Sequence, residues 1–258
     1  MARILEATFL ALSVVAVVSC DRGASRTGSS PEKPSLWSVD SELASLYGPL
    51  PGSGKASRPD SLETRVEVCL RKTVRAGVSS QTWVAVCGNV LEAPHAQTGW
   101  VDLLVFSDSA GSDRLVGQVK GLESGSFGVP GEVSLVRIGA HRHAFALSSS
   151  YMGMGSMIET VDWYGWESPR LRPILSTRLQ VSNEGEIPCE EDSLKCRWEH
   201  RRLVVDSSDP RAGYFPIVVE DSARSDGAFL VAGAKVAFQE DSARYPLPEP
   251  LVPDFWER

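Results

Sequence analysis

Apolar and polar residues alternate in short runs over most of the chain, from Arg65 to Phe238. The runs recur roughly every ten residues and are separated by Gly, Pro, Asn, Asp and Ser, as expected for short strands joined by turns. The predicted strands are Val66–Leu70, Thr82–Cys87, Trp100–Phe106, Arg114–Val119, Glu132–Ile138, His143–Leu147, Ile158–Trp163, Arg172–Val181, His200–Val205, Tyr214–Glu220 and Ala228–Phe238. No long helical pattern lies between them. We therefore expect a mostly β fold, either an antiparallel β-sandwich or an incomplete β-propeller-like domain.

One short helix is predicted ahead of the strands, over Ser38–Gly48. Ser38 can act as the N-cap, acidic residues occupy the first turn, and Gly48 before a proline ends the helix. The apolar residues on one face are Val39, Leu43, Leu46 and Tyr47. We expect this face to dock on the β-rich domain, with a partner-binding helix as the alternative.

The first segment of the chain has the organisation of a signal peptide. Arg3 supplies a positive charge, and Phe9–Val18 is almost wholly apolar. The run is shorter than the roughly 20 residues that span a bilayer, so it predicts a signal-peptide core rather than a membrane helix. The segment that ends in Val17-Val18-Ser19-Cys20 resembles the lipobox of bacterial lipoproteins. This resemblance implies a signal peptide at residues 1–19 and a fatty-acid anchor, such as palmitate, at Cys20.

The same resemblance bears on location. Lipoproteins of diderm bacteria often carry an aspartate after the lipidated cysteine as a signal for retention in the inner membrane, and Asp21 occupies that position. The implied location is the cell envelope, on the periplasmic face of the inner membrane if the source is diderm. Residues 20–37 are rich in Ser, Gly, Arg and Pro and are predicted to form a flexible tether.

Three regions follow the tether. Residues 38–60 hold the short helix and a loop, residues 61–244 the β-rich domain, and residues 245–258 a proline-rich strap that includes Phe255 and Trp256. We expect the strap to be extended and to lie across the domain, with a partner-binding motif as the alternative.

Charge and cysteine content narrow the function classes. The net charge of −7 and the lack of a long basic run argue against nucleic-acid binding. Apart from Cys20 the cysteines are Cys69, Cys87, Cys189 and Cys196. An even number in an exported chain predicts two disulfides, and we favour the local pairs Cys69–Cys87 and Cys189–Cys196 because each flanks a turn-like segment. The spacing does not fit a zinc site.

Motifs for catalysis or cofactor binding are weak. Gly52-Ser53-Gly54-Lys55 lacks the spacing of a phosphate-binding loop, and Ser156 lacks the second glycine of a nucleophile elbow. His141 and His143 could share one side of a strand and bind a metal, but no third ligand is placed near them, so a solvated hairpin edge is favoured. We predict no enzymatic activity, no cofactor and no metal.

The most unusual stretch of the predicted mature chain is the methionine-rich, glycine-rich segment 148–157, followed by aromatic residues. It predicts either a flexible connection that closes an irregular core edge or a contact loop, because Met, Tyr and Trp are enriched at protein interfaces. The candidate contact residues are Tyr151, Met152, Met154, Met157, Trp163, Tyr164 and Trp166. The stretch resembles segments of proteobacterial envelope lipoproteins, some of which act as immunity proteins or as inhibitors of cell-wall-degrading enzymes.

Together these features favour a lipid-anchored, non-enzymatic protein-binding module of the envelope, with an envelope protein as partner. The resemblance suggests an immunity or inhibitor role against a cell-wall-acting enzyme. The alternatives are a cell-wall hydrolase or metal-dependent enzyme, and a purely structural envelope protein.

Overall fold

The fold consists of two antiparallel sheets, one short α-helix and a C-terminal strap. The computed structural model describes residues 38–48, 64–76, 79–109, 112–186, 189, 191–225 and 227–251. Its elements are α1 (Val39–Tyr47), β1 (Thr64–Ala76), β2 (Ser79–Val90), β3 (Gly99–Ser109), β4 (Ser112–Ser124), β5 (Glu132–Arg137), β6 (His143–Gly153), β7 (Ser156–Glu167), β8 (Arg170–Ser182), β9 (Trp198–Val205), β10 (Ile217–Ser225) and β11 (Ala228–Val236). The predicted signal peptide, Cys20, Asp21, the tether, and Phe255 and Trp256 lie outside the described residues.

Strand pairing follows the order of the chain in both sheets. The first sheet has the order β1-β2-β3-β4, the second has the order β11-β10-β9-β8-β7-β6-β5, and all pairs are antiparallel. The pairing of β8 with β9 covers only Gln180–Ser182 against Trp198–His200, so the second sheet opens there. The segment after β5 bonds to the segment before β10, with the Phe215 amide 2.7 Å from the Ile138 carbonyl. The second sheet therefore curls without closing.

Each predicted strand overlaps one strand of the structure, so the mostly β fold and the β-sandwich are confirmed. The β-propeller alternative is wrong, because the strands form sheets of four and seven rather than repeated four-stranded blades. The predicted start at Tyr214 is three residues too early for β10, since Phe215 bonds to Ile138 instead of a neighbouring strand. The predicted helix is confirmed, with Ser38 and Ser41 forming a reciprocal cap.

The two sheets pack face to face around an apolar core. Trp83, Leu103 and Val105 from the first sheet meet Phe145 and Leu147 from the second. On the opposite face of the first sheet, other residues of β2 and β3 pack against Val39 and Leu43 of α1. Because the helix covers that face, β2 is buried on both sides and reads as an apolar run rather than an alternating one.

The far face of the second sheet holds a separate core that the strap completes. Trp163, Ile174 and Ile217 pack there with Tyr245, the first residue of the strap. The Tyr245 amide lies 2.9 Å from the Ile174 carbonyl, and its hydroxyl donates to the Phe215 carbonyl at 2.9 Å. Burial raises the pKa of Tyr245. The first residues of the strap thus pack against the far face of the second sheet.

Both predicted disulfides are present. Cys69 is the extra residue of a β-bulge in β1 and is bonded to Cys87 of β2, with 5.7 Å between the Cα atoms. Cys189 and Cys196 flank a short 3₁₀ turn, with 4.6 Å between their Cα atoms. Each bridge closes a local loop, which on the chain-entropy model stabilises the fold by roughly 2–3 kcal/mol.

Candidate protein-contact surface

The methionine-rich segment is a β-hairpin rather than a loop. β6 and β7 remain paired to the register Gly153↔Ser156, and only Met154 and Gly155 form the turn. The expectation of a loop over residues 148–157 is therefore wrong. The serines before the turn continue the strand, and Ser149 has a specific partner, because its Oγ accepts the Gly125 amide at 2.7 Å.

Two tight turns present large apolar side chains in the left-handed backbone region. Met154 and Gly155 have φ values of 54° and 87°, and Phe127 and Gly128 have φ values of 53° and 73°. Positive φ at both central residues is the pattern of type I′ turns, which favour Asn-Gly or Asp-Gly. A bulky residue in this region costs roughly 1–2 kcal/mol. The strain at Phe127 and Met154 therefore needs a reason other than turn formation.

Three aromatic rings connect the two turns. The imidazole of His95 lies between them, with its ring centroid 4.3 Å from that of Phe127 and 5.6 Å from that of Tyr151. The Phe127 amide also donates to the His95 carbonyl at 3.2 Å. Tyr151 folds back over Gly153, where a Cβ atom would lie 2.6 Å from the tyrosine hydroxyl. Gly153 is therefore needed for this ring position.

These residues form one exposed apolar surface. We call it the hairpin-tip surface and define it by His95, Phe127, Val129, Tyr151 and Met154. Met152, the predicted contact residue next to Tyr151 on β6, points to the other face of the strand. Met154 is 99% exposed and Phe127 57% exposed, and Val129, Tyr151 and Met152 are also exposed. A contiguous patch of large apolar side chains on a folded domain marks an interaction site more often than isolated exposed residues do.

The other predicted contact residues lie elsewhere. Met157 is half-buried at the base of the turn. Trp163 is only 5% exposed and packs against Tyr245 in the far-face core. Tyr164 and Trp166 are half-buried in the core between the sheets, and burial together with the charge of Asp162 raises the pKa of Tyr164. Strand alternation thus divides the predicted set between two faces of β7.

Sequence reasoning missed His95, Phe127 and Val129. They precede the turn residue Met154 by at least 25 positions in the sequence and approach it only because the 125–131 segment packs against β6. The one available signal was Gly128, because glycine is common at the second position of a two-residue turn. The first position holds Phe127 instead of the usual Asn or Asp.

A polar notch borders the hairpin-tip surface. It has a volume of about 260 Å³ and lies between the 125–131 segment and the β6–β7 pair. Three serines of β6 line it together with Val129, Glu132 and Glu159. The two carboxylates give this side of the apolar surface a negative rim.

The histidines are dispersed. His95 belongs to the hairpin-tip surface, His141 and His200 are exposed, and His143 is half-buried at the start of β6. Within the described ranges no group of three or more His, Cys, Asp or Glu side chains could hold a metal ion.

The described part of the chain contains no helix long and apolar enough to cross a membrane.

Comparison with protein-family models, with curated proteins and with solved structures gives no match for this chain in any of the three.

Proposed function

We propose that this chain is a membrane-anchored envelope lipoprotein that acts as a non-enzymatic protein-binding module through its hairpin-tip surface. An immunity or inhibitor role against a cell-wall-acting enzyme is the form of this function that the sequence resemblance suggests. The anchor is the lipid on Cys20, and Asp21 directs retention in the inner membrane of a diderm cell.

The proposed compartment agrees with the covalent structure. Disulfides persist in oxidising compartments such as the periplasm and are rare in the cytosol. The pairs Cys69–Cys87 and Cys189–Cys196 both fit such a compartment.

The observation that carries the proposal is the strained exposure of Phe127 and Met154. Met154 gains no burial in return for its left-handed backbone, and Phe127 gains only its contact with His95 and stays 57% exposed. An Asn at either turn position would relieve the strain. Backbone strain that a fold retains without structural benefit is concentrated at functional sites. A partner that buries these side chains supplies the missing benefit.

The chemistry of the surface specifies the partner. Met and aromatic side chains fit an apolar recess, and the adjacent carboxylates of Glu132 and Glu159 fit basic side chains at its edge. We therefore propose a protein partner with an apolar recess and a basic rim, rather than a glycan or a nucleic acid.

A site-specific photo-cross-linker tests this function in the full chain in its own membrane. A benzoylphenylalanine at Met154 should cross-link one envelope protein, whereas the same group at Arg202, an exposed position on β9, should not. With that partner purified, Phe127→Ser and Met154→Ser should each weaken binding by roughly tenfold or more, and Glu159→Gln should reduce the salt dependence of association. Equal cross-linking at both positions, or unchanged affinity of the serine variants, would rule out the hairpin-tip surface as the contact.

A further inference from the structure

A second candidate site lies at the opposite end of the β6–β7 hairpin. It is a cleft of about 610 Å³ between the two sheets, lined by Gln81, Trp83, Arg142, His143, Trp166 and Arg211 among others. We call it the inter-sheet cleft. The length of β6, 11 residues, separates it from the hairpin-tip surface by roughly 30 Å. Its volume falls within the range of small-molecule sites, roughly 300–1,000 Å³.

Three residues that line this cleft each carry a buried ring nitrogen without a partner. The nitrogens are Nε1 of Trp83, Nε1 of Trp166 and Nδ1 of His143, and no hydrogen-bond partner for them lies in the described part of the chain. Nearly all buried polar groups of folded proteins are hydrogen-bonded, so an unsatisfied group calls for an explanation. Three such residues lining one cleft indicate a place where a bound molecule completes the hydrogen bonding.

The cleft also holds a fixed guanidinium. Arg142 lies 4.4 Å from the centroid of the Tyr214 ring, donates to the Tyr214 hydroxyl at 3.0 Å, and lies 3.3 Å from Glu167. Glu167 also pairs with Arg172 at 3.2 Å, so one carboxylate is shared by two guanidiniums. Arg142 is held in place without being fully neutralised.

The remaining lining groups add donors and positive charge. Arg211 enters from the β9–β10 connection, and Gln81 contributes a buried amide. Burial, with the nearby charge of Arg137, lowers the pKa of His143, so its imidazole stays neutral. Arg142 and Arg211 stand against one lining carboxylate, Glu167, so the charged groups of the cleft sum to a net positive charge.

We infer that the inter-sheet cleft binds a small organic oxyanion, with its anionic group on Arg142 and Arg211 and its other oxygen atoms facing the buried polar groups around Trp83 and Trp166. Guanidinium groups bind carboxylates and phosphates through charge-assisted hydrogen bonds. The cleft is much larger than an inorganic anion, which favours an organic molecule. This site is independent of the proposed protein-binding function.

Indole resonances of the full chain test this site. Trp83→Phe and Trp166→Phe assign the two Nε1–H signals, and citrate and benzoate serve as organic probes against inorganic phosphate and sodium chloride. We expect saturable shifts of both signals with an organic probe and no shift of the Trp198 signal, since Trp198 lies on β9. Arg211→Gln, an exposed substitution, should weaken probe binding by roughly tenfold or more, and Arg202→Gln should leave it unchanged.

The other outcomes overturn the inference. Absence of saturable shifts with either organic probe, or equal binding by Arg211→Gln, would show that the cleft is not an oxyanion site. Phosphate binding as tightly as the organic probes would show a simple anion site instead. Arg142→Gln gives a second test, provided that its thermal unfolding shows an intact fold.

Discussion

Arg201 and Asp221 form a buried, doubly hydrogen-bonded ion pair across β9 and β10. Nε lies 2.8 Å from Oδ1 and Nη2 lies 2.9 Å from Oδ2, and each side chain is only 3% exposed. The same guanidinium donates to the Thr177 hydroxyl at 2.8 Å and to the Pro248 carbonyl at 3.0 Å. One side chain therefore joins three strands of the second sheet, β8, β9 and β10, to the strap.

Removing the Asp221 carboxylate should destabilise the fold strongly. Asp221→Ala leaves the Arg201 charge buried, which typically costs about 3–5 kcal/mol of unfolding free energy. Urea unfolding measures this loss, and limited proteolysis should show earlier cleavage in the strap. The control is Glu220→Ala on the same strand, which breaks the exposed pair with Arg202 and should cost less than about 1 kcal/mol. Equal losses in the two variants would show that the buried pair of Arg201 and Asp221 does not stabilise the fold more than an exposed pair.

Relieving the turn strain should raise stability and weaken binding. Met154→Asn and Phe127→Asn place a residue that tolerates positive φ in each turn, so each should stabilise the fold by about 0.5–1 kcal/mol. The same changes remove apolar contact area from the hairpin-tip surface and should weaken partner binding. Unfolding in urea and titration with the purified partner measure the two effects. A destabilised Asn variant would show that these side chains serve the fold.

Truncating Trp163 should lower stability and leave partner binding unchanged. Trp163→Ala opens a cavity in the far-face core and should cost about 3–5 kcal/mol. Molecules that remain folded should bind the partner with unchanged affinity, because Trp163 does not reach the hairpin-tip surface. Thermal unfolding and binding at low temperature separate the two quantities, and a binding defect in the folded fraction would place Trp163 at the contact.

Stability should fall in mildly acidic solution through His143. Its pKa is lowered in the folded protein by burial and then by Arg137, whereas the unfolded chain takes up a proton near pH 6.5. This contribution is complete above about pH 6.5 and is lost as the pH falls from there through the lower folded pKa. Unfolding free energies at several pH values should therefore show a shallower decline in His143→Gln than in the wild type. His141→Gln, an exposed change two residues away, should behave as the wild type.

The lipid anchor is tested by labelling. Cys20→Ser should lose incorporation of a metabolically supplied fatty acid, whereas the double variant Cys69→Ser, Cys87→Ser should keep it. In a diderm host, fractionation should place the wild type in the inner membrane and Asp21→Ser in the outer membrane. Labelling of Cys20→Ser would contradict the anchor, and an outer-membrane wild type would contradict the role of Asp21 alone.

The strands were predictable because their signals are local. Period-two alternation, or a short apolar run as in β2, identifies each strand between turn residues without knowledge of its neighbours. The local disulfide pairs follow from adjacent strands such as β1 and β2. The hairpin was harder, since Met154-Gly155 lacks the usual turn sequence and serines look like loop residues. Alternation alone could have separated Trp163 from Trp166, which is an odd number of positions away on the same strand.

The sites depend on tertiary structure that the sequence does not display. His95 and Phe127 join Tyr151 only when the 125–131 segment packs on β6. The inter-sheet cleft combines Trp83 of β2 with Arg142 and Arg211 from distant connections. Neither grouping has a characteristic spacing along the chain, so residue types alone could indicate interaction surfaces but not assemble them.

The chain-order topology has a consequence for how the protein folds as it emerges. Contacts between consecutive strands are short in sequence, which lowers contact order and lets the four-stranded sheet form before the rest of the chain is available. The far-face core is different, because the cover over Trp163 is completed only when Tyr245 arrives, some eighty residues later. A nascent chain therefore carries an incompletely covered core at this face until its last segment is delivered. Folding of this half of the molecule is therefore completed when the C-terminal strap is released, and not when its strands have paired.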